Sequence, residues 1–378
     1  LHLNTRATAI DRVRKVVTTA DGQTIPYDKL ILATGSFPFV PPLPGKDRQD
    51  CFVYRTLEDL DAIRAASRSS SGMPKTGVVI GGGLLGLEAA KALKDLGMQT
   101  HVVEFAPRLM AVQIDDGGGR VLRRKIEALG VGVHTQKATQ EIVDGESTRH
   151  RMKFADGSHL DTDVIVFSAG IRPRDELARQ AGLAVGERGG IVIDDYCLTS
   201  DPDVYAIGEC ALWKGRIYGL VAPGYDMARV SAAHLASALS GETVSELARF
   251  QGADMSTKLK LMGVDVASVG DAHAATPGSL CYQYSDEVAE IYKKIVVSAD
   301  RKQLLGAVLV GDASEYTDLL QKMLNGIELP AEPQSLILPG MGAAKAAAGG
   351  TGVDLLPDSA VICSCNNVTK ADICAAID

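Results

Sequence analysis

The run Val78-Val79-Ile80-Gly81-Gly82-Gly83-Leu84-Leu85-Gly86-Leu87-Glu88 limits the possible folds of this chain more than any other stretch. Its β-branched opening reads as a buried strand, its glycines as a tight turn, and Leu84 onward as the start of a helix. Strand, glycine turn and helix in direct succession suit a dinucleotide. Gly81 permits the turn, Gly83 lets the backbone approach a pyrophosphate, and Gly86 lets helix and strand pack closely. The free N–H groups of the helix start, at Leu84 and Leu85, and the helix dipole add positive charge.

Taken alone, the glycine pattern also fits a turn in other folds, and the residues that follow narrow it. The helical pattern from Leu84 to Leu96 closes at Gly97, and Thr100-His101-Val102-Val103-Glu104 reads as a second strand ending in a carboxylate. Glu104 follows Gly81 by 23 positions, close to the roughly 20 residues expected of an acid that accepts hydrogen bonds from the adenosine ribose. A carboxylate there favours NAD over NADP, whose 2′-phosphate it would repel, while Arg108 nearby would admit some NADP use.

At 378 residues the chain can hold two or three domains. No apolar run reaches the roughly 18 residues of a membrane span, and no basic-then-apolar leader opens the chain, so a cytoplasmic protein without a membrane segment is expected. Because the chain begins at Leu1 and ends at Asp378 inside a helical pattern, it is expected to be an excerpt of a longer one. The net charge of −8 is uneven: residues 1–249 hold 30 Lys and Arg against 31 Asp and Glu, and residues 250–378 hold 9 against 16. Such a balance argues against nucleic acid, which needs a basic face. Seven cysteines make no disulfide framework in a chain of this length. Cys51, Cys197, Cys210 and Cys281 read as buried small apolar residues, Cys374 as core within a helical run, and the seven histidines show no ligand spacing.

Residues 10–35 read as a small antiparallel ribbon: Asp21-Gly22 turns between the strand ending at Thr19 and the strand Thr24 to Tyr27, after which Asp28-Lys29-Leu30-Ile31-Leu32-Ala33-Thr34-Gly35 forms an apolar strand stopped at a glycine. The proline-rich Phe37 to Pro44 reads as an extended crossing between domains, and Thr56 as the cap of a helix from Leu57 to Ser67. A second ribbon from Gln140 to Phe154, turning at Asp144-Gly145, leads into Asp163-Val164-Ile165-Val166-Phe167-Ser168-Ala169-Gly170. Ribbon, acid, apolar strand and small-residue stop thus occur twice, as two related nucleotide-binding domains would show. A third piece, Thr199 to Glu209, holds a short apolar strand that ends at Gly208-Glu209, a glycine and a carboxylate that could accept hydrogen bonds from cofactor hydroxyls.

In combination these residues resemble the two-dinucleotide-binding-domain flavoproteins, which include ferredoxin, rubredoxin and glutathione reductases. The resemblance covers residues 1 to about 330. It implies an α/β chain with two Rossmann-like, glutathione-reductase-type domains, the FAD domain incomplete, and a small α+β C-terminal domain. It further implies that Thr34, Gly35, Arg55 and Glu209 meet FAD, and that Gly81, Gly83, Leu84, Leu85, Gly86, Glu104, Ala169 and Gly170 hold NAD. Glu88 would lie near the nicotinamide as the catalytic residue, although by position it also serves as a partner of the helix dipole. The family's FAD domain opens with its own glycine turn and ribose acid. Both are expected upstream of Leu1, so weak flavin retention by this stretch is expected.

The segments Arg55 to Ile63, His101 to Met110, Ser168 to Arg174, Val221 to Tyr225 and Lys258 to Val266 are similar to the large subunits of NADH-dependent nitrite reductases. Ile362-Cys363-Ser364-Cys365-Asn366-Asn367-Val368-Thr369 resembles the opening of a [2Fe-2S] module like bacterioferritin-associated ferredoxin. Cys363 and Cys365 would be two of its four thiolates, an incomplete set in this chain, though the pair also reads as a redox dithiol. The implied domains are a partial FAD-binding piece over 1–75, an NAD-binding domain over 76–195, and a return to the FAD domain over 196–248. A C-terminal reductase domain over 249–335, a linker over 336–356 and the start of the iron-sulfur module over 357–378 follow. The implied function is electron relay from NADH through FAD to downstream [2Fe-2S], [4Fe-4S] and sirohaem centres that reduce nitrite to ammonia. The implied partner is a nitrite reductase small subunit or downstream redox domains, and a homodimer is compatible with it. A stand-alone NADH-dependent reductase of a ferredoxin or rubredoxin, and an inactive NAD-binding fragment, are the alternatives.

Overall fold

The computed structural model describes residues 1–69, 72–240, 249–338, 356–363 and 368–377. The chain forms two compact units, residues 1–37 with 171–255 and residues 38–170 with 256–378. The first unit opens on the antiparallel ribbon β1 (Ala7–Asp11), β2 (Val16–Thr19) and β3 (Thr24–Pro26), turning through Gly22, whose N–H donates to Thr19 O at 3.0 Å. Two short strands follow, β4 (Leu30–Leu32) and β5 (Ser36–Pro38).

The second unit is built on a parallel sheet. Its strands are β6 (Cys51–Val53), β7 (Thr76–Ile80), β8 (Gln99–Val103), β9 (Gly132–His134) and, beyond the ribbon β10 (Thr139–Asp144), β11 (His150–Phe154) and β12 (His159–Thr162), β13 (Val164–Phe167). The order is β6-β13-β7-β8-β9. Strand alternation assigns each residue a face. Val79, Val102, Val164 and Val166 pack against Leu87 and Leu93 of α2 (Leu84–Asp95) and Leu122 and Ile126 of α3 (Asp116–Ala128). Val78, Ile80, Val103, Ile165 and Phe167 pack against Leu43 and the ribbon residues Ile142, Met152 and Phe154. Burial on both faces explains why these strands read as unbroken apolar runs.

Helix α1 (Leu57–Ser67) begins at Thr56, which accepts from Asp59 N–H at 3.2 Å while Asp59 accepts from Thr56 N–H at 2.8 Å. This reciprocal cap satisfies two donors that the helix itself leaves open. The units divide the chain at 37/38 and 170/171, whereas the sequence places boundaries at 75/76 and 195/196. The reason is pairing: β6 joins the parallel sheet beside β13, which ties residues 38–75 to the second unit.

Residues 171–195 return to the first unit because β14 (Ile171–Pro173) pairs with β5. After α4 (Glu176–Gln180), β15 (Ile191–Ile193) pairs in parallel with β17 (Ala211–Trp213), and β16 (Val204–Ala206) pairs in parallel with β4. Helix α5 (Val221–Ser240) supplies Met227 to a core with Leu32, Cys197, Val204, Cys210 and Trp213.

The second unit ends in an antiparallel sheet of β18 (Thr257–Leu261), β19 (Val264–Gly270), β20 (Leu280–Asp286), β21 (Ile291–Val297) and β22 (Leu304–Val310), in the order β18-β19-β22-β21-β20. One face covers its own core with α6 (Tyr316–Leu324), including Ile295, Leu309 and Leu319. The other places Val266, Tyr292, Val308 and Val310 in the same core as α2 and α3. Asp115, the cap of α3, ties the two together: it accepts from Gly118 N–H at 3.1 Å, Tyr292 hydroxyl at 2.8 Å and Lys294 Nζ at 2.6 Å. A Cβ on Gly117 would overlap the Tyr292 ring, so the glycine start of α3 is what lets the sheet approach. The neighbouring Lys293 points the other way and meets Asp312 and Glu315, each at 2.6 Å.

Beyond residue 355, β23 (Val361–Cys363) pairs with β24 (Val368–Thr369) ahead of the helix Lys370–Ile377, and Gln321 of α6 donates to Val361 O at 2.8 Å. Two expectations fail here. Cys281 is exposed because it lies on the edge strand β20, and Cys374 is exposed because no residue of the helix Lys370–Ile377 is buried. Among the described residues, no helix is long and apolar enough to cross a membrane.

Candidate functional site

The glycine run folds as its residues dictate. Gly81 leaves β7 at φ +118°, donating its N–H to Val103 O at 2.8 Å, and a Cβ there would overlap Ser168 O. A Cβ on Gly86 would overlap Gly81 O, so only glycine lets α2 start this close to the strand end. Gly83 caps α2 with open space around its missing Cβ, no side chain caps the helix, and its first turn carries no acid. The N–H groups of Leu84 and Leu85 thus stand at a positive helix end free for an anion.

Glu104 ends β8 beside this turn. Its carboxylate accepts from Gly82 N–H at 2.5 Å and Ala106 N–H at 2.6 Å, which fixes both oxygens and leaves each a further lone pair. Arg108 is turned elsewhere: its guanidinium bonds Asp116 at 2.6 Å and Ile114 O at 2.9 Å. Lys137, the cation near Glu104 that does line the site, is held by Asp156 and by the Ser158 hydroxyl at 2.7 Å.

A cavity of about 590 Å³ joins these parts. It is lined by Gly81, Gly83, Glu104, Phe105, Ser168, Ala169 and Gly170, together with Lys137, Ala138 and Thr139 and the proline-rich Phe39, Pro41 and Leu43. The structure therefore brings the glycine turn, the acid and Ala169-Gly170 to one place. It also adds the proline-rich segment, which the sequence presents only as a crossing. Its chemistry fits a dinucleotide: an anion cradle at one side, a fixed carboxylate for ribose hydroxyls, and apolar walls.

In the first unit, parallel pairing of β4 with β16 brings the ends of both strands together. Thr34 donates its hydroxyl to Arg174 O at 2.6 Å, and the buried Ser36 hydroxyl donates to the Glu209 carboxylate at 2.6 Å. Gly35 and Gly208 both take positive φ here, with open space at their missing Cβ. Thr34, Gly35 and Glu209 thus form a second group, a carboxylate and glycines at strand ends, which fits a hydroxylated cofactor chain.

Arg55 and Glu88 belong to neither group. Arg55 lies in the second unit, exposed at the start of α1, with its N–H donating to Asp59 at 3.1 Å. Glu88 is exposed on α2 and lines a separate cleft of about 490 Å³ with Tyr54, Lys258 and Lys260. Burial first, and the Glu88 carboxylate second, push the Tyr54 phenol above its ordinary value. Cys363 lies on β23, and Cys365 falls outside the described residues. Among the described residues, no three His, Cys, Asp or Glu side chains are grouped to hold a metal.

Comparison with known proteins agrees with this architecture. Residues 1–237 match the family model "Pyridine nucleotide-disulphide oxidoreductase", and residues 256–327 match "Rubredoxin NAD+ reductase C-terminal domain". The chain is 60% identical to the nitrite reductase (NADH) large subunit of Escherichia coli over 99% of its own length and 42% of that protein. It is 61% identical to the nitrite reductase [NAD(P)H] large subunit of Klebsiella oxytoca over 100% of its own length and 38% of that protein. It thus spans about two fifths of the curated relatives it matches. A ferredoxin reductase of Rhodopseudomonas palustris superposes with a TM-score of 0.74 at 25% identity, covering 91% of this chain and 81% of that one. With this match over most of its length, and the glycine turn and acid placed as described, the chain belongs to the pyridine nucleotide-disulphide oxidoreductase family.

Proposed function

We propose that this chain is the reductase portion of a nitrite reductase large subunit. It would take electrons from NADH for centres of a longer protein that reduce nitrite to ammonia. The observation that carries this reading is 60% identity over 99% of the chain to a protein of that name. The first-turn N–H groups of α2 would hold the pyrophosphate, and Glu104 would accept hydrogen bonds from the hydroxyls of the adenosine ribose. Ala169 and Gly170 would border the same cavity. Thr34, Gly35 and Glu209 would hold FAD through its hydroxylated chain, with Arg55 a further FAD contact, and Glu88 would act near the nicotinamide. When bound, the flavin supplies the exchange between a two-electron donor and one-electron acceptors. Cys363 and Cys365 would be the first two of four thiolates of a [2Fe-2S] cluster. A [4Fe-4S] centre, sirohaem and the nitrite reductase small subunit would lie further along the relay. The cytoplasm, where NADH is supplied, is the location this reading requires.

A reductase of a separate rubredoxin or ferredoxin is the second reading, favoured by the match of residues 256–327. The test is anaerobic titration with NADH of flavin-supplied protein, followed by nitrite-dependent NADH oxidation in the longer protein. Flavin bleaching by NADH and consumption of nitrite support the proposal. Bleaching with rubredoxin reduction and no nitrite turnover favours the second reading, and absence of NADH binding overturns both.

A further inference from the structure

Residues 38–44 read Pro-Phe-Val-Pro-Pro-Leu-Pro, four prolines in seven positions. In the second unit this stretch is pinned at both ends: Phe39 N–H donates to Gly170 O at 2.8 Å, and Ile142 N–H donates to Pro44 O at 2.9 Å. Between the pins, Leu43 is 9% exposed and packs with Val40 into the core beneath the ribbon. Directly after it, a Cβ on Gly45 would overlap Ile142 O, so the strap has no slack at that end. Four fixed φ angles stiffen the rest. Phe39, Pro41 and Leu43 of this strap line the cavity that also holds Gly83, Glu104 and Phe105.

We propose that the strap is a binding wall, in which Phe39 and Pro41 take one face of the adenine of the nicotinamide dinucleotide. This rests on the dinucleotide reading of the glycine turn. If Glu104 takes the adenosine ribose, the flat uncharged group attached to that ribose lies next to Glu104, and the cavity that Glu104 lines offers it apolar walls. The cavity has two aromatic side chains, Phe39 and the 78% exposed Phe105, and its strap is the part fixed before the ligand arrives. A rigid apolar wall binds a ring without paying for its own ordering. Stacking of a base on an aromatic side chain is lost on truncation to alanine at a penalty of about tenfold or more in affinity.

The test measures dissociation constants of NADH, ADP-ribose and NMNH on the full chain by calorimetry. Phe39→Ala is expected to weaken ADP-ribose and NADH by about tenfold each, with NMNH unchanged within twofold, and Phe39→Tyr to restore both. Since Trp213 is the protein's single tryptophan, Phe39→Trp adds a reporter whose fluorescence is expected to change with ADP-ribose. That variant decides the matter if Phe39→Ala fails to fold. Unchanged ADP-ribose affinity in Phe39→Ala, a silent Phe39→Trp reporter, or equal weakening of NMNH overturns the strap proposal. Wild-type protein that binds neither NADH nor ADP-ribose would sink the dinucleotide reading as well, and the wild-type titration tells these failures apart.

Discussion

Asp115→Ala removes a carboxylate shared by Lys294 at 2.6 Å, Tyr292 at 2.8 Å and the Gly118 N–H at 3.1 Å. The Lys294 side chain is 5% exposed, so its ammonium would lose its ion-pair partner while staying largely buried. Orphaning one member of a buried ion pair costs about 3–5 kcal/mol, and the lost helix cap about 1 kcal/mol more. A loss of about 4–6 kcal/mol from the second unit is therefore expected. Lys294→Met leaves Asp115 with two donors and partial solvent access, and is expected to cost about 1–2 kcal/mol. The double variant has no orphan charge and is expected to cost only about 2 kcal/mol, a coupling of at least about 3 kcal/mol in a double-mutant cycle. Urea unfolding gives the energies, and hydrogen exchange in peptides of β21 and β22 localises them, because Trp213 lies in the first unit. Coupling under about 0.5 kcal/mol would refute the reasoning.

The same hub has a pH signature. Burial raises the Asp115 carboxyl, but Lys294, the Gly118 N–H and Tyr292 outweigh it and hold the group below its ordinary value of 3.8. A folded value below the unfolded one means its stabilisation is present above pH 3.8 and is lost as pH falls through the folded value. Acid sensitivity in that range is expected to shrink in Asp115→Ala.

Two further predictions concern titration and reactivity. His101 Nδ1 and His134 Nε2 lie 3.2 Å apart on β8 and β9, and both rings are held below 6.5, first by burial, then by His134 on His101 and by Lys137 and Arg123 on His134. The unfolded chain then takes up protons first, so stability is expected to fall as pH drops through 6.5, and melting curves from pH 7.5 to 5.5 should show a smaller drop in His134→Asn. Burial pushes the Cys197 thiol to about 12 and the Cys51 thiol to about 11. A disulfide reagent at about pH 8 is expected to label the exposed Cys281 and Cys374 ahead of Cys197 and Cys51, and equally fast labelling of Cys197 in folded protein would contradict this.

What was legible in the sequence was local. The glycine turn, its acid at Glu104, the cap at Thr56 and the two ribbons each depend on residues within about one supersecondary unit, and each appears where its spacing puts it. What was not legible depends on pairing across long separations. β6 reads like any short apolar run, and only its alignment with β13 makes it part of the parallel sheet. Glu88 reads as a residue of the nucleotide turn, yet its cleft is completed by Lys258 and Lys260 from a strand about 170 positions later. The strap was misleading for a different reason: an extended proline-rich segment has the same sequence whether it spans solvent or walls a cavity. Cys281 shows the limit of composition, since burial of a strand residue is decided by which edge of the sheet it occupies.

The shared core of α2, α3 and the C-terminal sheet bears on how this protein can change over generations. Tyr292, Val308 and Val310 fit against Gly117 and Gly118, so the segments on either side of the first unit's return are matched halves of one surface. Recombination between related reductases that exchanged residues 256–310 alone would set an unfitted sheet against α3 and expose apolar side chains from both parents. Chimaeras cut at 255/256 are thus expected to aggregate unless residues 38–170 travel with them. Exchange of both halves together is expected to keep the fit, although 85 residues of the first unit lie between them in the chain.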